Sequence, residues 1–343
     1  LTSEGGQPLN ISSLAGNGLE KGVISSLKSD GTFNPAALNI EFDIPVYQGA
    51  QGGGDTRNYI RVWGLSLKDI SQGMNFNGQF AKLSVGMSKG FPLADPSEQG
   101  AVIDGEIMQA YGNWIGTDMT LDMHVMASSG TGGGGTNDAP WEFKNFAFTW
   151  KKGEQLGDAI KRTIQTALPD MKVDIQINSK RVADQDQHGD YKTFTEFSHA
   201  MQEITIGKLK LKEGVEDNGI SIYARTNKII AIEGTTGASE EVENVTKIKF
   251  QDLLGQVTWA DANLISVKLV MRGNLSVSDV IEFPAHIPSV VQGGSMSGFG
   301  GTTRISDSLG FSGQFRIKQM QHWGNFRQPD AMSWNTTVWA FPL

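Results

Sequence analysis

Cysteine is absent from this 343-residue chain, which excludes a disulfide framework and a thiolate metal site. Histidine is scarce, with 5 residues, and none falls in an HExxH pattern or another metal-binding spacing. No run approaches the roughly 18 apolar residues of a membrane-spanning helix. A basic excess is also lacking: the net charge is −8 and the pI about 5.2. That argues against a general nucleic-acid binder carrying a basic stripe, but not against a protein that lets DNA pass without gripping it. The chain opens at Leu1 on a polar segment that does not read as a signal peptide, and with no initiator Met its start is open to trimming.

Glycine is in excess, at 42 residues against about 24 at its usual share. With Asn-Gly at 17–18, 77–78 and 218–219, this predicts a mainly β chain rich in turns. Residues 1–36 read as an extended arm. Residues 37–150 then carry short strands in period two. Leu38, Ile40, Phe42, Ile44 and Val46 alternate with polar residues, and Pro45 marks an edge or a strand end. Asn77-Gly78 reads as a hairpin-type turn. Gly112-Asn113-Trp114 reads as the turn into an alternating strand, Met119 to Met126. Six or more strands in this space predict a small barrel or sandwich. Between Trp141 and Trp150 the apolar register changes, which predicts a bulge near Asn145.

Residues 151–206 change period. Leu156, Ile160, Ile164 and Leu168 are spaced as on a helix that Pro169 stops. Thr193 and Glu196 form a capping box before Phe194, Phe197, Met201 and Ile204. With the strand Val173–Ile177 between them, these make a small α/β module. Strands resume over 207–343, with a turn at Asp217-Asn218-Gly219 and a Gly/Ser-rich loop at 287–313. The stretch from Phe250 to Pro284 organises this part: Ile265, Val267, Leu269 and Met271 alternate with Ser266, Lys268 and Val270. One face belongs in a core, and Ser266, Lys268, Val270 and the nearby Trp259 are interface candidates. Ile107 to Trp114 is echoed by Ile317 to Phe326, each a strand with a Gly-Asn-aromatic turn and a returning strand. Two copies of one β fold would give a homotrimer six similar modules in a ring.

Catalytic and metal patterns do not assemble. Gly130 to Gly135 matches GxGxxG, but no helix follows, so it reads as a loop. Asp184 to His188 resembles the start of a calcium loop, but has no helix before it and Thr195 at the twelfth position. Gly294 to Gly298 has Met296 where a nucleophilic serine would stand. Lys208, Lys210 and Lys212 share a strand face and read as solvated, edge-guarding charges.

Residues 104–126 and 153–177, the stretch from Trp259 through Asp279-Val280-Ile281, and the closing FSGQFRIKQMQHWGNFRQPDAMSW resemble phage tail baseplate hub proteins, over about 37–343. The resemblance implies two tube-like antiparallel β-barrel domains, at 37–150 and 207–343, around the α/β module. It implies a homotrimer of pseudo-six-fold symmetry, set between a hexameric tail tube protein and a trimeric central spike protein. A tape-measure protein and other baseplate proteins are further partners, and DNA passes through the lumen. The resemblance implies a virion tail protein assembled in the host cytoplasm, with no catalytic residues, no cofactor and no membrane anchor. The alternatives are a carbohydrate-binding or carbohydrate-cleaving β protein, for which 8 Trp and 17 Phe offer stacking faces, and a secreted effector-delivery spike.

Overall fold

The computed structural model describes residues 1, 7, 22–28, 30–47, 58–87, 95–127, 144–169, 171–208, 216–225, 228–236, 245–261, 264–284, 311, 313–328, 330 and 332–343. Asn17-Gly18, the Gly-rich runs at 130–135 and 294–298, Lys210, Lys212 and nearly all of the 287–313 loop lie outside these residues.

The fold is mainly β. The first strands are β1 (Asn39–Tyr47), β2 (Tyr59–Trp63), β3 (Phe80–Val85), β4 (Gly100–Ile115) and β5 (Asp118–Ala127). A short helix, α1 (Leu67–Ile70), lies between β2 and β3. In the middle stand β6 (Phe146–Trp150), α2 (Leu156–Ala167), β7 (Lys172–Gln176), β8 (Gln187–Tyr191), α3 (Phe194–Thr205), β9 (Glu216–Arg225) and β10 (Lys228–Thr236). The last group is β11 (Val245–Lys247), β12 (Thr258–Asp261), β13 (Leu264–Val270), β14 (Val280–Glu282), β15 (Gln314–Asn325) and β16 (Trp334–Pro342).

The first and last groups share one 11-stranded sheet, in the order β12-β13-β16-β15-β1-β2-β5-β4-β3, with β14 also on β15. The two halves repeat one strand order: β1-β2-β5-β4-β3 matches β12-β13-β16-β15-β14. They also share a bulge. The β4–β5 register shifts between Ile107 and Gln109, and the β15–β16 register shifts between Ile317 and Gln319. An extra residue in one strand bends it and strengthens its twist, so both long hairpins coil at the same place. The halves meet where β1 runs antiparallel to β15, from Glu41 opposite Asn325 to Tyr47 opposite Gln319.

β1 is therefore an interior strand. Pro45 lies beyond the reach of β2, which pairs only with Asn39 to Asp43, so its missing N–H deprives no ladder bond on that side. Three expected turns are absent. β4 runs through Gly112-Asn113-Trp114, and the chain reverses at 116–117. Gly112 is needed for close approach, because a Cβ there would stand 2.1 Å from the Ile70 carbonyl oxygen. Gly324 likewise lies within β15, where a Cβ would meet the Phe42 ring at 2.3 Å. Asp217-Asn218-Gly219 lies inside β9 as a bulge opposite Glu233 and Thr235, with Gly219 at φ +76° and its N–H donating to Asp217 Oδ1. Asn77-Gly78 follows a 3-10 turn, Gly73–Phe76, and so does not join two strands; its Asn77 Oδ1 accepts the Ala110 N–H at 2.6 Å. No bulge is found at Asn145: it lies before β6, which pairs with β8 from Phe146 to Trp150 without a register shift.

Three cores form. Phe42, Ile60, Ile107, Leu121 and Met123 lie in the first and Ile265, Val267, Leu269, Ile317 and Val338 in the last. The middle core joins α2 and α3 to β6, with Phe146 stacked on Phe197 at 5.3 Å. Helix α3 begins at the expected cap, where Thr193 accepts the Glu196 N–H at 3.1 Å, but Glu196 reaches back to the Lys192 N–H and not to that of Thr193, so the capping box is half made. The sheet β7-β10-β9 is a wall between two cores. Ile220, Ile222, Ile229 and Ala231 face the helices, while Tyr223, Ile230 and Ile232 face the last core. The bulge residue Met108 turns out of the first core onto the middle one. No helix among the described residues is long and apolar enough to cross a membrane.

Candidate assembly surface

The large sheet buries one face and presents the other. On β5, Leu121, Met123 and Val125 enter the first core, so Thr120, Asp122 and His124 stand on the opposite face, as the period-two pattern predicts. There Asp122 is fully buried under its neighbours. Its carboxylate accepts from the Tyr59 hydroxyl, Arg61 Nε, Asn113 Nδ2 and, at 3.2 Å, the Thr120 hydroxyl. These donors come from β2, β4 and β5, so one carboxylate ties three strands together. Arg61 lies 5.2 Å from the centroid of the Tyr59 ring and 5.3 Å from that of Trp63. Trp63 Nε1 donates to Glu41 at 3.1 Å, and Gln321 Nε2 donates to Asp43 at 2.8 Å. The lattice thus crosses the junction between the halves.

Burial works to raise the Asp122 carboxyl, but the hydrogen bonds from Arg61 and Tyr59 outweigh it and hold it below the usual value of 3.8. The Tyr59 hydroxyl is pushed up by burial and by its bond to Asp122. A depressed carboxylate adds stability above its unfolded pKa that is lost as pH falls through its folded pKa. Asp122→Asn should therefore cost about 1–3 kcal/mol at neutral pH, and its deficit against wild type should shrink below pH 3.8. Urea unfolding at several pH values checks this; a deficit that does not change with pH would count against it.

Ser266 and Lys268 lie on the same face, opposite Trp339 and Thr337 of β16, and both are half-buried. Val270 is not exposed there: it is 5% accessible and lies in a wholly buried run from Leu269 to Gly273. Trp259 is 38% exposed on β12, with its ring tilted 5.7 Å from that of Phe311. Both halves carry charges of both signs: Glu41, Asp43, Asp104, Glu106 and Asp122 stand with Arg61 and Lys82 on the strands of the first, and Lys268, Arg316 and Lys318 stand with Asp261 and Glu282 on those of the second.

β12 is a sheet edge whose four residues are all exposed. At the other edge, β3 covers β4 only as far as Glu106. Trp114 and Ile115 are 63% and 76% exposed at the tip of the β4–β5 hairpin.

A second polar cluster lies where the halves cross. Arg272 pairs with Glu98 at 3.3 Å and Asp252 at 3.4 Å, all three side chains being nearly inaccessible. The Gly273 N–H donates to the Glu98 carbonyl at 2.8 Å. The pairing of residues so far apart in sequence leaves no local signal; a buried polar side chain in an apolar run, such as Arg272, is the only hint. The residues flagged for chemistry have ordinary places. His322 is buried, its Nδ1 3.0 Å from the Thr336 hydroxyl. His188 and His199 are exposed, and His124 lies among the Tyr59 and Tyr111 rings. Asp186 accepts the Lys152 N–H at 2.7 Å. Among the described residues, no three His, Cys, Asp or Glu side chains are placed to share a metal ion.

The surface is that of a mainly β chain with a polar sheet face and two edges that no strand among the described residues covers. No family model and no curated protein matches the sequence. Among solved structures, the chain is similar to the 43 kDa tail protein of prophage MuSo2 from Shewanella oneidensis, with a TM-score of 0.46 and 8% identity, over 89% of this chain and 98% of that one. It is also similar to a tail protein from Neisseria meningitidis MC58, with a TM-score of 0.43 and 9% identity, over 89% of this chain and 96% of that one.

Proposed function

We propose that the chain is a structural protein of a bacteriophage tail: a baseplate hub, assembled as a homotrimer, that adapts a hexameric tail tube to a trimeric central spike. One observation carries this reading. The same five-strand order occurs twice in one sheet, joined edge to edge through β1 and β15. A chain that holds two like modules side by side gives six around a three-fold axis, which meets a six-fold partner on one side and a three-fold partner on the other. The repeated modules stand for the two tube-like barrels, the ring they make for the DNA channel, and the virion baseplate for the place of action. The chain's task is assembly rather than catalysis, and it takes no cofactor.

The carbohydrate reading has less support. Phe146, Phe148 and Trp150 are packed in the middle core, and Trp334 packs edge-on against Phe42 at 5.4 Å, as aromatic residues in strand patterns do by default. Light scattering tests the proposal. A mass of three times 37.1 kDa, alone or with a tube or spike protein, is expected. A stable monomer that binds or cleaves a glycan would overturn it.

A further inference from the structure

The junction inside the chain is a template for a junction between chains. β1 runs along β15 from Gln319 to Asn325. Counted from the shared bulge, those residues correspond to Gln109 to Ile115 of β4. β1 in turn corresponds to β12, because each pairs with the strand that follows it in the repeated order, and register carries Ile44 onto Trp259. The inward positions agree: Val257, 0% exposed, corresponds to Phe42, 1% exposed. Among the described residues, no strand pairs with the outer side of β12 or of β4 beyond Glu106. The two edges thus lack the partners that their counterparts have.

We propose that β12 of one copy adds antiparallel to β4 of a second copy, with Thr258 opposite Asn113 and Trp259 opposite Gly112. This pairing rests on the hub reading and names the contact by which the ring closes. Large apolar side chains are exposed beside both edges. Trp259 and Phe250 are 38% and 59% exposed near β12; Leu67, Met74, Trp114 and Ile115 range from 51% to 76% around the end of β4. The template pair, Ile44 and His322, is buried on both sides at 1%. The pairing also has a natural limit. The Ala110 N–H is already held by Asn77, and Ala110 falls opposite Asp261, the last residue of β12. Because the two edges differ, the contact is head-to-tail, and it stops growing only when a ring closes.

The absence of cysteine makes the test clean. The Ala110 N–H points away from β5, so Asn113 would be in a non-hydrogen-bonded pair with the added strand, where opposing Cα atoms lie about 4.5 Å apart, within disulfide range. In the double variant Thr258→Cys with Asn113→Cys, mild oxidation should convert the 37.1 kDa band into two- and three-chain bands that reducing agent reverses. Each single variant should give none, and neither should Asp261→Cys with Asn113→Cys. Asn113 donates to Asp122, so Ala260→Cys with Tyr111→Cys provides a second in-register pair should the first variant not fold. A three-fold mass with neither in-register pair cross-linking overturns the pairing and leaves the hub reading standing. A mass that stays monomeric both alone and with a tube or spike protein overturns both.

Discussion

Replacing Arg181 with methionine should strongly destabilise the middle of the chain. The guanidinium is 2% exposed and ties together four elements. Its Nε and Nη2 hold Glu233 of β10, at 2.7 Å for Nη2, and its Nη1 donates to the Thr205 carbonyl of α3 at 2.9 Å. Nη2 also reaches Asp217 of β9, while Glu233 accepts the Asn178 N–H after β7 at 2.7 Å. Burial opposes the charge on Arg181, and the bonds to Glu233 and Asp217 outweigh it. Methionine would fill the space and leave two carboxylates, 3% and 18% exposed, without their cation. Breaking a buried pair from one side costs about 3–5 kcal/mol, against a total stability of about 5–15 kcal/mol for a typical domain. Urea unfolding followed by tryptophan emission, with Trp150 in the affected core, should show the loss. A change under about 1 kcal/mol, the scale of a surface pair, would refute the role.

Arg272→Met should be comparably severe, and its severity should depend on pH. It removes the cation facing Glu98 and Asp252, with Asp95 and Lys249 paired at 3.3 Å on the exposed side. The cost at neutral pH should be about 3–5 kcal/mol. Burial holds the Glu98 carboxyl above its usual value of 4.5, while Arg272 pulls it down. A carboxyl raised in the folded state adds stability that is full below its unfolded pKa and lost as pH rises through its folded pKa. Without Arg272, Glu98 rises further. The deficit of the variant should therefore be small in acid and grow as pH climbs above 4.5. Unfolding curves across that range check the sign. A deficit that does not change with pH would show that Arg272 acts through packing alone.

The sequence shows most plainly what depends on neighbours along the chain. The alternation in β5 and β13 named their buried faces, and the spacing of Leu156, Ile160 and Ile164 named the inner side of α2. What it hides is set from far away. Gly112 and Gly324 look like turn residues, yet each is glycine because distant atoms crowd it. The exposed strand β12 has no buried face, so it leaves no alternation to read. The Gly-Asn echo drew attention to the right two hairpins at the wrong register. The structural match is the bulge after Ile107 and Ile317, which places Gly112 beside His322 rather than Gly324. Of the surface candidates, Trp259 was legible as an exposed aromatic in a turn-rich stretch. Val270 alternates with the inward residues in the sequence, yet it lies in the run 269–273, all of which is buried. Asp122 was legible as outward-facing, but its four donors lie on strands brought together only by the fold.

The pairing of β1 with β15 also has a consequence for synthesis. β1 emerges from the ribosome early and β15 close to the end, with Tyr47 and Gln319 as partners. Throughout that interval the first five strands can associate while β1 keeps a bare flank. At about 5–20 residues per second, the delay is on the order of tens of seconds, long compared with hairpin formation in microseconds. An apolar strand left open for so long invites mispairing with other nascent chains. Glu41, Asp43 and Pro45 lie along that flank, and in this light they act as guards during translation that become interior once the last strands arrive.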